Sequence, residues 1–305
     1  MIVGLDVGYG VTKAVRSDGQ VVVFRSIVGI GTPDVLGISK DRFRTILLNG
    51  DMYTVGEDAE KFRLPLINTR KRNSIESIAY KVLALAAIQR GSDSLNIVTG
   101  LPIDFYSADK QKTQKVFGEL FPECNITIIP QPAGTFFDLI LDSNGKTTGV
   151  DYADKKIGIV DIGTFTTDML LMDGTSPVRE MSSTVTIGID ALVKNIIKEC
   201  SHIRRNLTQT EVEKALKTGY ITKYGEQVNI KDVIDKNKSL IAKNIWAYVN
   251  SIWGSEGDID IFVATGGGAL IFKDAFVESN IIYPQNPFIS NAYGFFKLGR
   301  QMYGS

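Results

Sequence analysis

The stretch that decides the fold is Leu5-Asp6-Val7-Gly8-Tyr9-Gly10-Val11-Thr12-Lys13, near the start of a 305-residue chain. The apolar run Ile2 to Val7 predicts a buried strand, and Thr12 to Arg16 predicts the strand that follows it. A strand that ends in a carboxylate and enters a glycine hairpin aims backbone N–H groups into a concavity, as phosphate sites do. We therefore expect an anion-binding turn that Lys13 also reaches. A plain glycine hairpin with a solvated lysine is the alternative.

The same pattern returns in the second half of the chain, as Val160-Asp161-Ile162-Gly163-Thr164-Phe165-Thr166-Thr167-Asp168. Three residues of the first turn, Asp6, Gly8 and Thr12, recur at one common offset of 155 residues. This indicates two duplicated domains whose turns grip a polyphosphate from both sides. Carboxylates repel phosphate, so we expect Asp6 and Asp161 to share one hydrated magnesium ion. We expect Asp168 to be an outward-facing strand residue.

A third element is Ile261-Phe262-Val263-Ala264-Thr265-Gly266-Gly267-Gly268-Ala269-Leu270, in which an apolar strand runs into three glycines. A flexible turn is one explanation of such a loop. Backbone without side chains also lets a flat ligand pack closely. Because the loop follows a buried strand, we favour the ligand.

Composition removes several classes of protein. Lys plus Arg and Asp plus Glu each number 34, so the formal charge is zero, which disfavours direct non-specific binding to nucleic acid. Two cysteines and one histidine exclude a disulfide scaffold and a zinc site built from Cys or His. No run approaches the ~18 apolar residues of a transmembrane helix, and the chain starts directly in a patterned strand. We expect a cytoplasmic protein that does not bind membranes.

Strands alternate with helical patterns along the whole chain, which predicts an α/β architecture with mixed sheets. Residues 29–72 carry scattered glycine, proline and short apolar runs, and we expect a small irregular subdomain there. The Asn73-Ser74-Ile75-Glu76 segment is typical of a helix start, and Gly91 would end that helix. Further helices are predicted at 108–119, 135–141, 189–200, 210–217, 233–253 and 291–301.

The three elements, in this order, resemble the phosphate-1, phosphate-2 and adenosine motifs of the actin-like ATPase superfamily. Between the two phosphate turns, Ile128-Ile129-Pro130-Gln131-Pro132-Ala133-Gly134 resembles the first connecting motif of that superfamily. Pro287-Phe288-Ile289-Ser290-Asn291-Ala292-Tyr293-Gly294 resembles the second. The form of the first connecting motif is most like that of ParM/StbA-type plasmid-segregation actins and archaeal actin-like relatives. Tyr9 departs from the pattern, because a small hydroxyl residue is usual at its position.

The resemblance implies a role for each matching residue. Gly8 and two sets of backbone N–H groups, one set from each turn and both given below, would bind the β- and γ-phosphates of ATP or ADP. Lys13 would neutralise the phosphate charge. Asp6 and Asp161 would hold the hydrated Mg²⁺, and Gln131 would orient the attacking water. Backbone contacts discriminate bases poorly, so ATP and GTP remain alternatives. The two N–H sets are Tyr9, Gly10 and Val11, and Gly163, Thr164 and Phe165; the residues against the adenine and ribose are Gly266, Gly267, Gly268 and Leu270.

The resemblance also implies a duplicated two-lobe fold with a nucleotide cleft between the lobes. Lobe I would span 1–150, and lobe II would span 151–305 with a helical subdomain at about 190–258. The final helix at about 291–301 would pack back on lobe I, and the connecting motifs would join the lobes.

The function implied is a slow ATPase that forms nucleotide-dependent filaments and segregates plasmid DNA through a DNA-binding adaptor protein. A non-polymerising regulatory ATPase and a small-molecule kinase are the alternatives. For the kinase, Asp104 is the one candidate base, and it is equally suited to begin a helix.

Overall fold

A computed structural model describes residues 1–34, 42–68, 75–88, 94–150, 152, 154–254, 259–276 and 280–304. The chain divides into two compact units. The first unit comprises Met1–Asp151 together with Ile289–Ser305, and the second comprises Tyr152–Phe288. No helix in the described ranges is both long enough and apolar enough to cross a membrane.

The elements of the first unit come from both ends of the chain. Its helices are α1 (Glu57–Lys61), α2 (Ile78–Ile88), α3 (Ile103–Leu120), α4 (Ala133–Ile140) and α9 (Ser290–Tyr303). Its strands are β1 (Ile2–Val7), β2 (Val11–Arg16), β3 (Val21–Arg25), β4 (Val28–Ile30), β5 (Thr45–Leu48), β6 (Asp51–Val55), β7 (Leu66–Ile67), β8 (Asn96–Leu101) and β9 (Asn125–Pro130).

The second unit is one continuous segment of the chain. Its helices are α5 (Ile189–Glu199), α6 (Gln209–Thr218), α7 (Lys231–Trp253) and α8 (Ala269–Phe272). Its strands are β10 (Lys156–Ile162), β11 (Thr167–Asp173), β12 (Ser176–Val185), β13 (Tyr220–Lys223), β14 (Glu226–Asn229), β15 (Ile261–Thr265) and β16 (Ile281–Ile282).

The predicted duplication is confirmed by the topology of the two main sheets. The first sheet runs β3-β2-β1-β8-β9 and the second runs β12-β11-β10-β15-β16. In each, the central strand pairs antiparallel with the next strand of the chain and parallel with the strand on its other side. The two phosphate-like turns therefore occupy the same place in two copies of one α/β sheet.

Helix α2 is apolar except for Lys81, because it is buried on two sides. Tyr80, Ala84 and Ala87 pack in the core of the main sheet of the first unit. Val82 and Leu83 pack instead with residues of a second, small sheet. A helix that is hydrophobic around its whole circumference is expected only in such a position.

The subdomain predicted at 29–72 is regular, not irregular, in its described part. Four short strands form an antiparallel sheet in the order β5-β6-β4-β7. A two-residue turn, Asn49-Gly50, joins β5 to β6, and both residues have positive φ, as a type I′ turn requires. Strands β5 and β6 coincide with short apolar runs of the sequence, whereas β4 and β7 have only three and two residues, and β4 pairs with strands distant in the sequence.

Helix boundaries also differ from the prediction. The proposed cap Asn73 and the proposed stop Gly91 lie outside the described residues, but Ile75 and Glu76 form a turn and α2 begins at Ile78. The hydroxyl of Ser77, four residues after Asn73, accepts the N–H of Tyr80 and so caps the start of α2. Sequence analysis also missed the β13–β14 hairpin.

Helices α4 and α9 pack on each other through glycine. Gly134 is the second residue of α4, and a Cβ placed on it would lie 2.6 Å from the carbonyl oxygen of Asn291 and from the ring of Phe295. A Cβ on Gly294 would collide with the carbonyl group of Gly134. The two backbones are therefore too close for any side chain at these positions.

Polar contacts fix the same pair of helices. Thr135 donates its hydroxyl to Asn291 at 2.8 Å, and both side chains are buried. Asp138 accepts from the Ser290 hydroxyl at 2.7 Å and from the Lys297 ammonium at 2.7 Å. Helices α4 and α9, which carry most of the two connecting motifs, thus meet inside the first unit. The chain passes between the units after residue 151, outside the first connecting motif, and after Phe288, within the second.

This packing predicts opposite effects for two glycine substitutions. Gly294→Ala should lower the free energy of unfolding by about 3 kcal/mol, because the new methyl group meets backbone that cannot move aside. Gly118→Ala is the control, since Gly118 lies in α3 with no atom within 4 Å of an added Cβ. That change should raise the free energy of unfolding by roughly 0.5–1 kcal/mol. Urea denaturation followed by circular dichroism measures both, and equal effects would contradict the packing.

Candidate functional site

The first turn is organised around a buried carboxylate. Asp6 ends β1 and is 2% exposed. The ammonium group of Lys13, opposite it in the β1–β2 register, lies 3.0 Å from Oδ2. The side-chain amide of Gln131 donates to Oδ1 at 3.1 Å. Three of the residues predicted from sequence are thus brought together, two from the hairpin and one from the end of β9.

Ser26, which sequence analysis missed, fixes the shape of this turn. Its hydroxyl donates to the carbonyl of Gly8 at 2.6 Å and lies 2.9 Å from the hydroxyl of the buried Thr12. Its N–H donates to the carbonyl of Gly10 at 2.9 Å. A Cβ on Gly8 would lie 2.8 Å from the carbonyl of Val11, so glycine is required there.

A second residue missed from sequence is Tyr80 of α2. Burial raises the pKa of its phenol, and the electrostatic interactions with Asp6 and Tyr9 raise that pKa further. The phenol therefore stays protonated at neutral pH. It belongs to the electrostatic surroundings of Asp6, but the apolar pattern of α2 gave no signal that would single it out.

In the second turn, the cross-strand partner of the buried carboxylate is acidic, whereas in the first turn it is Lys13. Asp161 ends β10 and is 4% exposed, and its partner in the β10–β11 register is Asp168, at 3%. The prediction that Asp168 faces outward was therefore wrong. It accepts the hydroxyl of Thr184 at 2.6 Å and that of Thr166 at 3.3 Å. Where the first unit opposes a carboxylate with an ammonium group, the second opposes it with another carboxylate.

Several backbone groups of the second turn already form hydrogen bonds within the protein. The N–H of Gly163 donates to the carbonyl of Thr166 at 2.8 Å, which closes the turn. This removes the Gly163 N–H from the predicted phosphate cradle. The carbonyls of Gly163 and Thr164 accept from Ile189 and Asp190 at the start of α5. The turn is thus held between two strands and a helix.

The glycine loop after β15 lies beside Asp161. Gly266 has φ +84°, and a Cβ on it would strike the Oδ1 atom of Asp161. A Cβ on Gly268 would strike the side chain of Ile162, whose carbonyl accepts the Gly268 N–H at 2.8 Å. The chain's own packing thus requires both glycines, whereas sequence analysis ascribed them to a flat ligand.

The rest of this loop is less constrained. A Cβ on Gly267 would make ordinary contacts, at 3.5 Å from Ile189 and 3.6 Å from Phe288. Leu270, in α8, is 58% exposed. The loop is anchored by Pro287, whose carbonyl accepts the N–H of Gly266 at 3.0 Å and the hydroxyl of Thr265 at 3.2 Å.

Two family models match the chain, one in each half. The model for "Actin like proteins N terminal domain" matches residues 4–134, and the model for "Archaeal actin homologue MreB-like, C-terminal" matches residues 159–278. Both matches contain the turn described above for that half. The chain belongs to the actin-like superfamily.

Relatives of known name agree with this assignment over nearly the whole chain. A protein named archaeal actin homolog, from Thermoplasma volcanium, is 25% identical over 97% of each chain. The structure of a 15-stranded ParM filament from Clostridium botulinum is similar at a TM-score of 0.81 and 25% identity, over 98% of this chain and 99% of the other. An archaeal actin homologue, Ta0583, solved in complex with ADP, shares the fold at a TM-score of 0.74 and 19% identity, over 97% of each chain.

Proposed function

We propose that this actin-like protein binds ATP with Mg²⁺, hydrolyses it slowly, and forms filaments whose assembly depends on the bound nucleotide. The observation that carries the proposal is the duplicated turn. Each unit buries a carboxylate at the end of its central strand, beside a tight turn, and the two turns have equivalent places in two equivalent sheets. Phosphoryl transfer requires mainly such positioning and charge stabilisation from a protein.

The phosphates would be held by backbone and by one ammonium group. In the first turn the candidates are the N–H groups of Tyr9, Gly10 and Val11, with Gly8 allowing the tight bend. In the second turn they are the N–H groups of Thr164 and Phe165, because that of Gly163 is already bonded. The ammonium group is that of Lys13, which already pairs with Asp6 and would interact with the phosphates as well.

The surroundings of Asp161 suit a hydrated magnesium ion. Like charges placed opposite each other on neighbouring strands are unfavourable, and Asp161 and Asp168 are both buried. A nearby divalent cation, bound through its water shell, would offset that repulsion. We propose that Asp6 and Asp161 are the carboxylates that hold Mg²⁺ through its water shell; the bound ion would neutralise phosphate charge.

Gln131 is suited to orient a water molecule. Its amide nitrogen donates to Asp6, which leaves the amide oxygen as the acceptor for a water proton. A neutral amide is a weak base, so it positions water without efficiently removing its proton. Hydrolysis would therefore be slow, as suits a timer of assembly. Gly266, Gly267, Gly268 and Leu270 would border the base and ribose.

Assembly is supported by the similarity to a ParM filament and by the zero formal charge, which leaves no net repulsion between copies. The same neutrality argues that DNA cargo would be reached through a separate adaptor protein in the cytoplasm. The candidate base of the kinase alternative, Asp104, lies in the first turn of α3, where a carboxylate also stabilises the helix.

Gln131→Ala should separate nucleotide binding from hydrolysis. We expect the affinity for ATP to stay within a few fold and the hydrolysis rate to fall by ~10²-fold, the scale for loss of a positioning group. Phosphate release in single-turnover experiments, together with a fluorescent-nucleotide titration, measures both quantities. Gln114→Ala, on the exposed face of α3, is the control and should change neither. An equal loss of binding and turnover would mark Gln131 as a structural residue instead.

Assembly should follow the nucleotide state. High-speed pelleting is expected with ATP or a slowly hydrolysed analogue and should fall with ADP, because a contact favoured by one state by several kcal/mol shifts the equilibrium strongly. Gln131→Ala should give polymer of longer lifetime, since hydrolysis is slowed. ATP would be present at about ten times its Kd, so that nearly all of the protein is bound to nucleotide. If the protein then stays monomeric over a range of salt concentrations, the filament proposal is refuted.

A further inference from the structure

The chain builds two hairpin turns of the same type from different residues. Asn49-Gly50 joins β5 to β6 with φ values of 54° and 88°. Tyr224-Gly225 joins β13 to β14 with φ values of 51° and 85°. In both, the flanking residues are direct cross-strand partners, Leu48 with Asp51 and Lys223 with Glu226. The two turns are thus matched in length and in backbone conformation.

Tyrosine is the unexpected residue of the pair. The left-handed region is tolerated by glycine and asparagine, whereas a bulky side chain there is an outlier. Asn-Gly is the usual choice for such a turn, and the chain uses it in its other hairpin. The turn therefore does not require Tyr224, and its backbone conformation is less favourable for tyrosine than for asparagine.

The side chain gains no burial in return. Tyr224 is 95% exposed, the largest exposure among the large hydrophobic residues described. Its ring contacts the ammonium group of Lys223, 5.7 Å from the ring centre. A residue that is strained, apolar and almost wholly solvated within its own chain is better explained by a contact outside that chain.

The base of the hairpin is rigid enough to present this ring. Ile221 is buried in the core of the second unit, and Val228 packs against that core. Arg204 donates to the carbonyl of Thr222 at 3.0 Å and forms an ion pair with Glu211 at 2.6 Å. Held in one position, the tip loses little conformational entropy when it binds.

We infer that the Tyr224 tip is an assembly contact that packs against a second copy of this chain. This rests on the proposed function, and it adds a named contact residue to it. The tip carries one positive side chain, Lys223, and one negative side chain, Glu226, which are cross-strand partners. Its charges therefore suit a partner without net charge, and this chain has a formal charge of zero. Nucleic acid would require a basic surface, which this tip does not provide. A projecting loop docking on a different surface gives the head-to-tail contact that builds filaments.

The test replaces Tyr224 by the residue that the other hairpin uses. Tyr224→Asn should fold with an unchanged or higher Tm, because the turn is relieved of strain. Its critical concentration for assembly with ATP should rise about tenfold or more, the scale for loss of an anchoring aromatic residue. Tyr224→Phe keeps the ring and should assemble nearly as wild type does. Tyr248→Gln, which removes an exposed aromatic residue of α7, is the control and should assemble normally.

The outcomes of the pelleting assay separate the Tyr224 contact from the proposed function. If Tyr224→Asn assembles at the wild-type critical concentration, the inference fails while the proposed function stands. If the wild type associates regardless of nucleotide and Tyr224→Asn does not associate, the inference stands and the proposed function fails. If the wild type is monomeric with every nucleotide, both fail. Benzoylphenylalanine at position 224 provides an independent arm: irradiation of the assembled protein should give covalent dimers, and their absence would overturn the inference.

Discussion

Each unit of the protein depends on the burial of one carboxylate at the end of its central strand. Removing a charge from water is costly unless charges or hydrogen bonds compensate it. In the first unit, Lys13 and Gln131 compensate Asp6, so the hairpin and the end of β9 are tied to one point. In the second unit, Asp161 faces Asp168 and the backbone of Gly266. The matching turn thus carries an ammonium group beside the carboxylate in the first unit and a second carboxylate in the second unit.

The close contact of α4 and α9 links Gln131 to the end of the chain segment that holds the glycine loop of the second unit. Gln131 accepts the N–H of Gly134 at 3.1 Å, so the residue proposed to orient water is one turn away from the glycine contact. On the other helix, α9 begins directly after Pro287 and Phe288, the segment that anchors the glycine loop of the second unit. Any change in that loop is therefore linked along a short stretch of chain to the helix that packs against α4.

Much of the fold was predictable because its signals are local and repeated. Asp6 and Asp161 stand out by a common offset, and buried strands with glycine turns are readable from residue type alone. Contacts between distant residues were not predictable in this way. Ser26 and Tyr80 look like ordinary loop and core residues, Asp168 looks like an exposed strand residue, and Gly268 looks like a ligand contact although it packs on Ile162. Each error concerns which partner a side chain meets, and the partner is supplied by the tertiary structure.

The central proposal is that the buried carboxylates Asp6 and Asp161 both contribute to the magnesium-dependent binding of ATP. Its most direct test is the gain in ATP affinity when Mg²⁺ replaces a chelator, measured by calorimetry for the wild type, Asp6→Asn, Asp161→Asn and the double variant. We expect a gain of at least about tenfold, ~1.4 kcal/mol, in the wild type. Each single variant should lose most of it, the double variant should lose little more, and Asp173→Asn, at an exposed strand end, should keep it. An undiminished gain in either single variant would contradict the account.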